Sequence, residues 1–512
     1  MASIQSFKDQ SWLLPPSIED LIPDDHICFL VENLVDSLDY SSFDIRYSGA
    51  GHPAYHPRIL LKLLVMGVLD RVRSSQRLAR NGRENVVYMY LSEKLAPDFR
   101  TLSDFRKDNP ELVKEVFKHT VSFAKEEGLL DLSYLSTDGS KVRANASNRR
   151  VLTKEELKVL LRFVDEELEE WAKQDAIEDK AFGEIRGTDQ LPHQSKKTIQ
   201  KAVQYYIKKL KEKGQKCPEY KEHLKDGLHQ AQQEMDDKGL RKVSTTDPGS
   251  CFMKNKKGRI ELSYNPQVMV ERNGFILAND VSQNASDAEQ LKPQVIQTEE
   301  NLGKLPEHAA WSFDAGYFGS ENIQFLSDKE VEGYIPDNNG KKVRNPYDKQ
   351  NFRYDSAMDE YICPENQKVI FIGEHFDVQK KRTVRVYKGQ RCLSCKKQSI
   401  CTKRKNGIRY LKMFPHEVAL NNMRMKMKTP EAKEIYKLRQ QIVEPVLGDI
   451  KENKGVRGFI TRGIHTVKAE FNIICAAMNV KRIWILLKEK KRKMSCFSSR
   501  LFFKKRYGYQ FC

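Results

Sequence analysis

The 512-residue sequence predicts an α/β protein with a mixed-sheet core, a helical N-terminal region, one helical insertion and one basic, cysteine-bearing insertion. Three observations carry this prediction. Apolar residues recur at helical spacing up to about residue 130 and again beyond residue 430. Short β-rich runs bounded by Gly, Asn and Pro occupy 134–143 and 258–340. Cationic and cysteine-bearing sequence without strong periodicity fills 341–430. A chain of this length has room for two to four domains, each with a core of its own.

Residues 1–130 read as helices. "PRILLKLLVMGVLDRV" places Ile59, Leu60, Leu63 and Leu64 on one face, and "SSQRLARNGRENVVYMYLS" follows it. Thr101 and Asp104 in "TLSDFRKDNPELVKEVF" suggest a helix cap. Short helices with scattered arginines suit a helix-turn-helix-like DNA reader. They suit a plain helical support equally well. Residues 131–152 hold "YLSTDGSKVRANAS", an apolar strand that runs into an Asp-Gly turn at Asp138.

A Thr153–Glu156 capping box opens a charged helical insertion over 153–257. One stripe there is Leu157, Leu160, Leu161, Val164, Leu168 and Trp171; another is Ile199, Val203, Ile207 and Leu210. Two such helices form a packing insertion or a partner-binding arm. Strand character returns over 258–282, where a turn is expected at Asn265-Pro266 and a hairpin at Asn273-Gly274. Next come a helix over about 286–302, a strand ending at Asp314, a helix over 320–328 and a short strand in "GYIPDNN", closing a segment at 340. The basic segment spans 341–430, two long helical patterns span 431–490, and a basic tail spans 491–512.

The balance of 88 Lys and Arg against 70 Asp and Glu leaves a net charge of +18. From Lys380 to Pro430 there are 16 basic residues and one acid, Glu417. A solvated surface accounts for an ordinary charge run. A segment holding most of the excess better fits a polyanion, whose condensed counterions fixed cations displace. No apolar stretch reaches the length of a membrane helix, and the first residues lack the basic and apolar regions of a secretory signal.

Four of the ten cysteines lie near one another in sequence: Cys363, Cys392, Cys395 and Cys401. A CxxC pair supplies two soft ligands from one turn, so a structural zinc ion is one reading. Reduced thiols or a redox pair are others, because the step from Cys363 to Cys392 is not a standard finger spacing.

Asp138 and Asp314 share a context. Each ends a short apolar strand and is followed by small residues, Gly139-Ser140 and Ala315-Gly316. Strand ends can meet on one sheet edge, and two carboxylates brought together favour a divalent cation. Either aspartate alone is an ordinary turn residue. Glu444 is the candidate third acid. Pro445 disfavours helical backbone before it, which predicts Glu444 at a kink or near a helix start. Lys451, seven residues on, would share its face.

These residues resemble the DDE transposases of bacterial insertion sequences, in the branch with a Tyr-Arg-Glu-Lys signature around the glutamate. The matching pieces are "STDGSKVRANAS", "YNPQVMVE", "NDVSQNASD", "DAGYFGSEN" and "YKLRQQIVEPVLGDIKENKGVRGFITRG", and "KAEFNIICAAMNVKRI" resembles that family's C-terminal helix. The similarity runs over most of residues 50–485. Arg439 and Glu444 have four residues between them, where better-known members have three.

The resemblance implies an RNase H-like core and two Mg²⁺ (or Mn²⁺) ions on Asp138, Asp314 and Glu444. It implies hydrolysis at the element's ends followed by attack of the freed 3′-OH on target DNA. Tyr436, Arg439 and Lys451 would lie near the element's end, with Lys141 and Arg143 beside the phosphate backbone. The partner would be double-stranded DNA, the assembly a homodimer or larger, and the location the bacterial cytoplasm at the nucleoid. The other readings are a DNA-binding derivative without chemistry, an RNase H-like nuclease without strand transfer, and a zinc-dependent regulator.

Overall fold

A computed structural model describes residues 17–41, 54–147, 150–158, 160–162, 219–255, 258–337, 345–377 and 382–493. The outer part of the two helical stripes, from Val164 to Leu210, lies outside the described residues. So does the tail beyond residue 493.

Among the described residues, six α-helices precede the first strand: α1 (Cys28–Asp36), α2 (Pro57–Leu69), α3 (Ser75–Glu84), α4 (Val86–Leu91), α5 (Phe99–Asp108) and α6 (Pro110–Glu126). The apolar stripe of α2 is buried as its spacing predicts. The cap expected at Thr101 and Asp104 is instead made by Asp98, which accepts from the Arg100 and Thr101 N–H groups at 2.7 and 3.1 Å. An aspartate just before the first turn meets the orphan N–H groups more directly than a residue already inside it.

The central sheet has seven strands. Five run side by side in the order β7 (Ile276–Ser282), β6 (Ile260–Glu271), β1 (Tyr134–Gly139), β8 (Ala310–Phe313) and β9 (Glu332–Tyr334). β6 is antiparallel to both β7 and β1, whereas β1, β8 and β9 run parallel. β2 (Val142–Arg143) and β5 (Cys251–Lys254) pair with the first half of β6. The turn expected at Asn265-Pro266 does not form, and β6 continues through it. The proline falls where β6 exchanges β2 and β5 for β1 and β7, a place where a missing N–H is tolerated. The Asn273-Gly274 hairpin does form, with Gly274 at φ +86°.

The long helix α12 at the C-terminus (Ile464–Lys493) and α8 (Leu291–Leu302) pack on β7 and on α6. Helix α8 starts five residues later than its sequence pattern suggests. The N-terminal helices share one continuous apolar core with the sheet and α12. Buried polar groups register the two halves of the chain. Asn479 donates to the Ile276 carbonyl and Thr120 Oγ1 and accepts from the Ile276 N–H. Arg73 reaches Glu470 at 2.8 Å.

The base of the helical insertion has its own small core. Its strands β3 (Val151–Thr153) and β4 (Lys242–Ser244) pair, and Leu157, Leu160 and Leu161 pack against Leu228 and Met235 of α7 (Glu219–Lys238). The capping box forms: Thr153 N–H donates to Glu156 at 2.8 Å, and Glu156 N–H to Thr153 Oγ1 at 3.3 Å.

The basic segment contains a five-stranded antiparallel sheet that sequence periodicity does not announce. It comprises β10 (Arg353–Asp355), β11 (Glu360–Ile362), β12 (Lys368–Asp377), β13 (Arg382–Gly389) and β14 (Tyr410–Met413). Among the described residues its core is small, built on Phe352, Tyr361, Val369, Tyr387, Leu411 and Met413. Its longest strand, β12, is exposed over most of its length and its burial does not alternate, so no period of two marks it. Among the described residues, no helix is long and apolar enough to cross a membrane.

Candidate active site

Because β1 and β8 are parallel neighbours with Thr137 opposite Phe313, the next residue of each, Asp138 and Asp314, emerges at the same sheet edge. Asp138 is buried, and its Oδ1 accepts from the Gly139 N–H at 2.9 Å. Asp314 is more open. Its Oδ1 accepts from the Ala315 N–H at 2.7 Å and caps the turn Ala315–Tyr317. The context that the two aspartates share in sequence therefore becomes a shared position in space.

Helix α11 (Pro430–Gly448) follows α9 (Ser320–Asp328) and α10 (Glu417–Lys426) and packs on β1, β6 and β8. It delivers Arg439, whose guanidinium stands 3.0 Å from Asp138 Oδ1 and 4.0 Å from Asp314 Oδ2. Burial works against this charge. The fields of Asp138, then Tyr436, Asp314 and Glu444 outweigh it and hold the guanidinium pKa above its ordinary value. Burial pushes the Tyr436 phenol up, with Arg439 opposing and Asp314, Asp138 and Glu444 adding to the rise.

Glu444 itself is exposed. The helix start expected around it is absent, because α11 carries Pro445 in its interior and runs on to Gly448. Burial of Ile442, Val443, Val446 and Leu447 holds the helix together across the proline. The five-residue step from Arg439 to Glu444 turns about 140° around a helix. That rotation explains why one side chain is buried and the other exposed. The shared face proposed for Lys451 also fails: it lies in a π-helical turn, Asp449–Asn453, which breaks the α-helical repeat.

The donor set of two aspartates and a glutamate has the hard-oxygen chemistry that suits Mg²⁺ or Mn²⁺. Here the single positive charge of Arg439 offsets that of Asp138 and part of the field of Asp314. Among the described residues, no three His, Cys, Asp or Glu are grouped closely enough to hold a metal ion. Lys141 lies near the site but is engaged by Asp287 at 3.2 Å. The Arg143 side chain is exposed, while its backbone carbonyl accepts from the Phe459 N–H at 2.9 Å. The motif "NDVSQNASD" includes Asp287, which lies in this neighbourhood and accepts from Asn265 and Gln267 of β6; no short-range pattern singles these three residues out.

Cys363, Cys392, Cys395 and Cys401 line one cavity of about 30 Å³. All four are free thiols. Cys363 Sγ accepts from the Gln367 N–H at 3.3 Å and Cys392 Sγ from the Arg409 N–H at 3.5 Å. Burial raises the Cys401 thiol pKa; Arg409 lowers it, and the other three cysteines raise it further. Around them Lys396, Lys397, Lys403, Arg404 and Lys405 are exposed. Other cations of the segment are internally paired, Arg385 with Asp359 and Arg424 with Asp337, each at 2.6 Å.

Two family models match the chain. Residues 362–484 match a transposase DDE domain, and residues 16–108 match a transposase domain (DUF772). The first match takes in the cysteine cluster, α11 and most of α12; the second covers α1 to α5. No curated protein matches. Both matches are to transposase domains, so the class of the protein is a transposase. Together the two matches indicate a DDE-type insertion-sequence transposase, with transposition as its function.

Proposed function

We propose that this protein cuts DNA at the ends of its insertion sequence and joins the freed ends to target DNA, with Asp138, Asp314 and Glu444 as the catalytic acids. The observation that carries this reading is the convergence of Asp138 and Asp314, from adjacent parallel strands, on Arg439 of the helix that also bears Glu444. The strand order, with β7 and β6 antiparallel and β1, β8 and β9 parallel, supports an RNase H-like core.

The three acids would hold Mg²⁺ or Mn²⁺, which supplies activation of the attacking oxygen and stabilisation of the leaving oxygen in phosphodiester chemistry. The chain's own side chains bind and orient. Tyr436 and Arg439 lie beside the aspartates, where a phosphate could exchange with Asp138 for the guanidinium. Lys141, Arg143 and Lys451 add cationic contacts to the DNA backbone. Double-stranded DNA, element ends and target alike, is the partner, gripped in part by the basic segment. A homodimer or larger assembly would pair two ends.

The cysteine cluster is read as a structural zinc site that pins the basic segment. Four thiols around one cavity and N–H donors to two sulfurs support it. The sulfurs would close further around the ion. Metal analysis of purified protein should give about one zinc per chain, and none would remove the assignment.

The test of the reaction uses purified protein, Mg²⁺ and a fragment carrying the element's ends. Wild type should cleave and join, whereas Asp138→Asn, Asp314→Asn and Glu444→Gln should each lose at least a hundredfold in rate. Full activity in any one of them would overturn the triad. Cleavage without joining would favour a nuclease.

A further inference from the structure

Between the two aspartate bends lies a carboxylate that the proposed chemistry does not use. Asp287 sits in the turn between β7 and α8. Its Oδ1 accepts from Asn265 Nδ2 at 2.6 Å, Gln267 Nε2 at 2.8 Å and Lys141 Nζ at 3.2 Å. Gln267 is fully buried and stands opposite Gly139 in the β6–β1 ladder. With its amide nitrogen given to Asp287, its carbonyl oxygen faces the Tyr317 hydroxyl and accepts from it. Tyr317 is itself buried and closes the turn that begins at Asp314, its N–H donating to the Asp314 carbonyl at 3.0 Å. A single chain of hydrogen bonds therefore runs from Asp287 to the turn that follows Asp314.

The two small residues after the aspartates belong to the same arrangement. A Cβ on Gly139 would lie 2.1 Å from Gln267 Nε2 and 2.9 Å from Asp287 Oδ1. A Cβ on Gly316 would lie 3.5 Å from Asp287 Oδ2. The Asp287 carboxylate is thus seated between the bend after Asp138 and the bend after Asp314. At Gly139 the close approach leaves no room for a side chain. One more bond secures the seat: Asn322 Nδ2 of α9 donates to the Ala288 carbonyl at 2.6 Å and to the Tyr317 carbonyl at 2.9 Å.

We infer that Asp287 is a positioning residue: it locks the bends carrying Asp138 and Asp314 at a fixed separation and holds Lys141 at the edge of the site. The inference rests on the transposase reading for its consequence in catalysis, but its structural content stands on the hydrogen bonds alone. Oδ1 acts as an acceptor for two amides, and an asparagine keeps that oxygen. Alanine removes it and leaves the Gln267 and Asn265 amides to reorient. Only the pairing with Lys141 needs the negative charge.

Hydrogen exchange on the full-length, DNA-free protein tests this directly. In Asp287→Ala, exchange over 136–141 and 314–318 should rise at least tenfold, with the rest of the chain unchanged and thermal unfolding still cooperative. Asp287→Asn should stay within about threefold of wild type at those positions. Unchanged exchange at both bends in Asp287→Ala would overturn the inference. So would a rise spread over the whole chain, or equal effects of Asn and Ala. In parallel, Mn²⁺ affinity measured by paramagnetic resonance without DNA should fall at least fivefold in Asp287→Ala and less than twofold in Asp287→Asn. A wild type that neither binds Mn²⁺ nor cleaves element ends would sink the transposase chemistry and leave the exchange result to decide the role of Asp287.

Discussion

Replacing Arg439 with methionine keeps most of the side chain's volume and removes the charge that stands 3.0 Å from Asp138 Oδ1. Both side chains are about nine-tenths buried, at 8% and 11% exposure, so water screens the pair poorly. At an effective dielectric near 20, opposite charges at such a distance attract by about 5–6 kcal/mol. Part of that offsets the desolvation of the guanidinium, which burial already disfavours. Asp314 is 47% exposed and 4.0 Å away, so its share is below about 1 kcal/mol. The net loss in Arg439→Met should be about 3 kcal/mol, because Asp138 remains charged and buried with less compensation. Asp138→Asn in the same chain removes that charge and should restore about 2 kcal/mol. The assay is urea unfolding of the wild type, both single variants and the double variant, with the coupling taken from the cycle. A second reading comes from Mg²⁺, which should raise the melting temperature of Arg439→Met more than that of the wild type, since the cation then meets two carboxylates without a guanidinium in competition. A coupling below about 0.5 kcal/mol would refute the reasoning.

Burial pushes the Glu271 carboxyl up to about 7 from its ordinary 4.5, against the Asn273, Phe275 and Asp131 N–H groups, which favour the charged form. The folded chain thus binds this proton more tightly than the unfolded one. Its contribution is full below about pH 4.5 and is lost by about pH 7, roughly 3 kcal/mol in all, and urea midpoints of the wild type against Glu271→Gln across that window measure it. Asn479→Ala strips the Ile276 N–H and carbonyl and the Thr120 hydroxyl of a partner inside the core. It should cost about 3 kcal/mol, read as a fall in melting temperature. Binding of a duplex should weaken steeply between 50 and 200 mM salt, on the order of a thousandfold if six or more phosphates are contacted. Neutralising Lys396, Lys397, Lys403 and Lys405 together should flatten that slope in fluorescence anisotropy, and an unchanged slope would place the DNA elsewhere.

The sequence by itself determined the features that depend on local chemistry. The helical stripe of α2, the Thr153–Glu156 box and the Asn273-Gly274 hairpin need only neighbouring residues, and they stand where their patterns put them. The two aspartates were also legible, because a strand end followed by small residues is a short-range signal. Pro266 and Pro445 misled for the opposite reason. Each reads locally as a break, and in each case packing over many residues carries the element through it. The five-stranded sheet of the basic segment was hidden because its core is small and its longest strand, β12, is exposed over most of its length without alternation.

What only the tertiary structure decided is which charges meet. Arg439 is some three hundred residues from Asp138 in sequence and in contact with it in space. Its rotation away from Glu444 follows from one residue more than the usual spacing in α11. Asp287 looks in sequence like an ordinary loop acid. Parallel pairing of β1 with β8 brings two bends together, and a Cβ on Gly139 would intrude on the Gln267 amide and the Asp287 carboxylate seated between them. Electrostatic and steric terms depend on distance through space, which chain order does not encode until the sheet has formed.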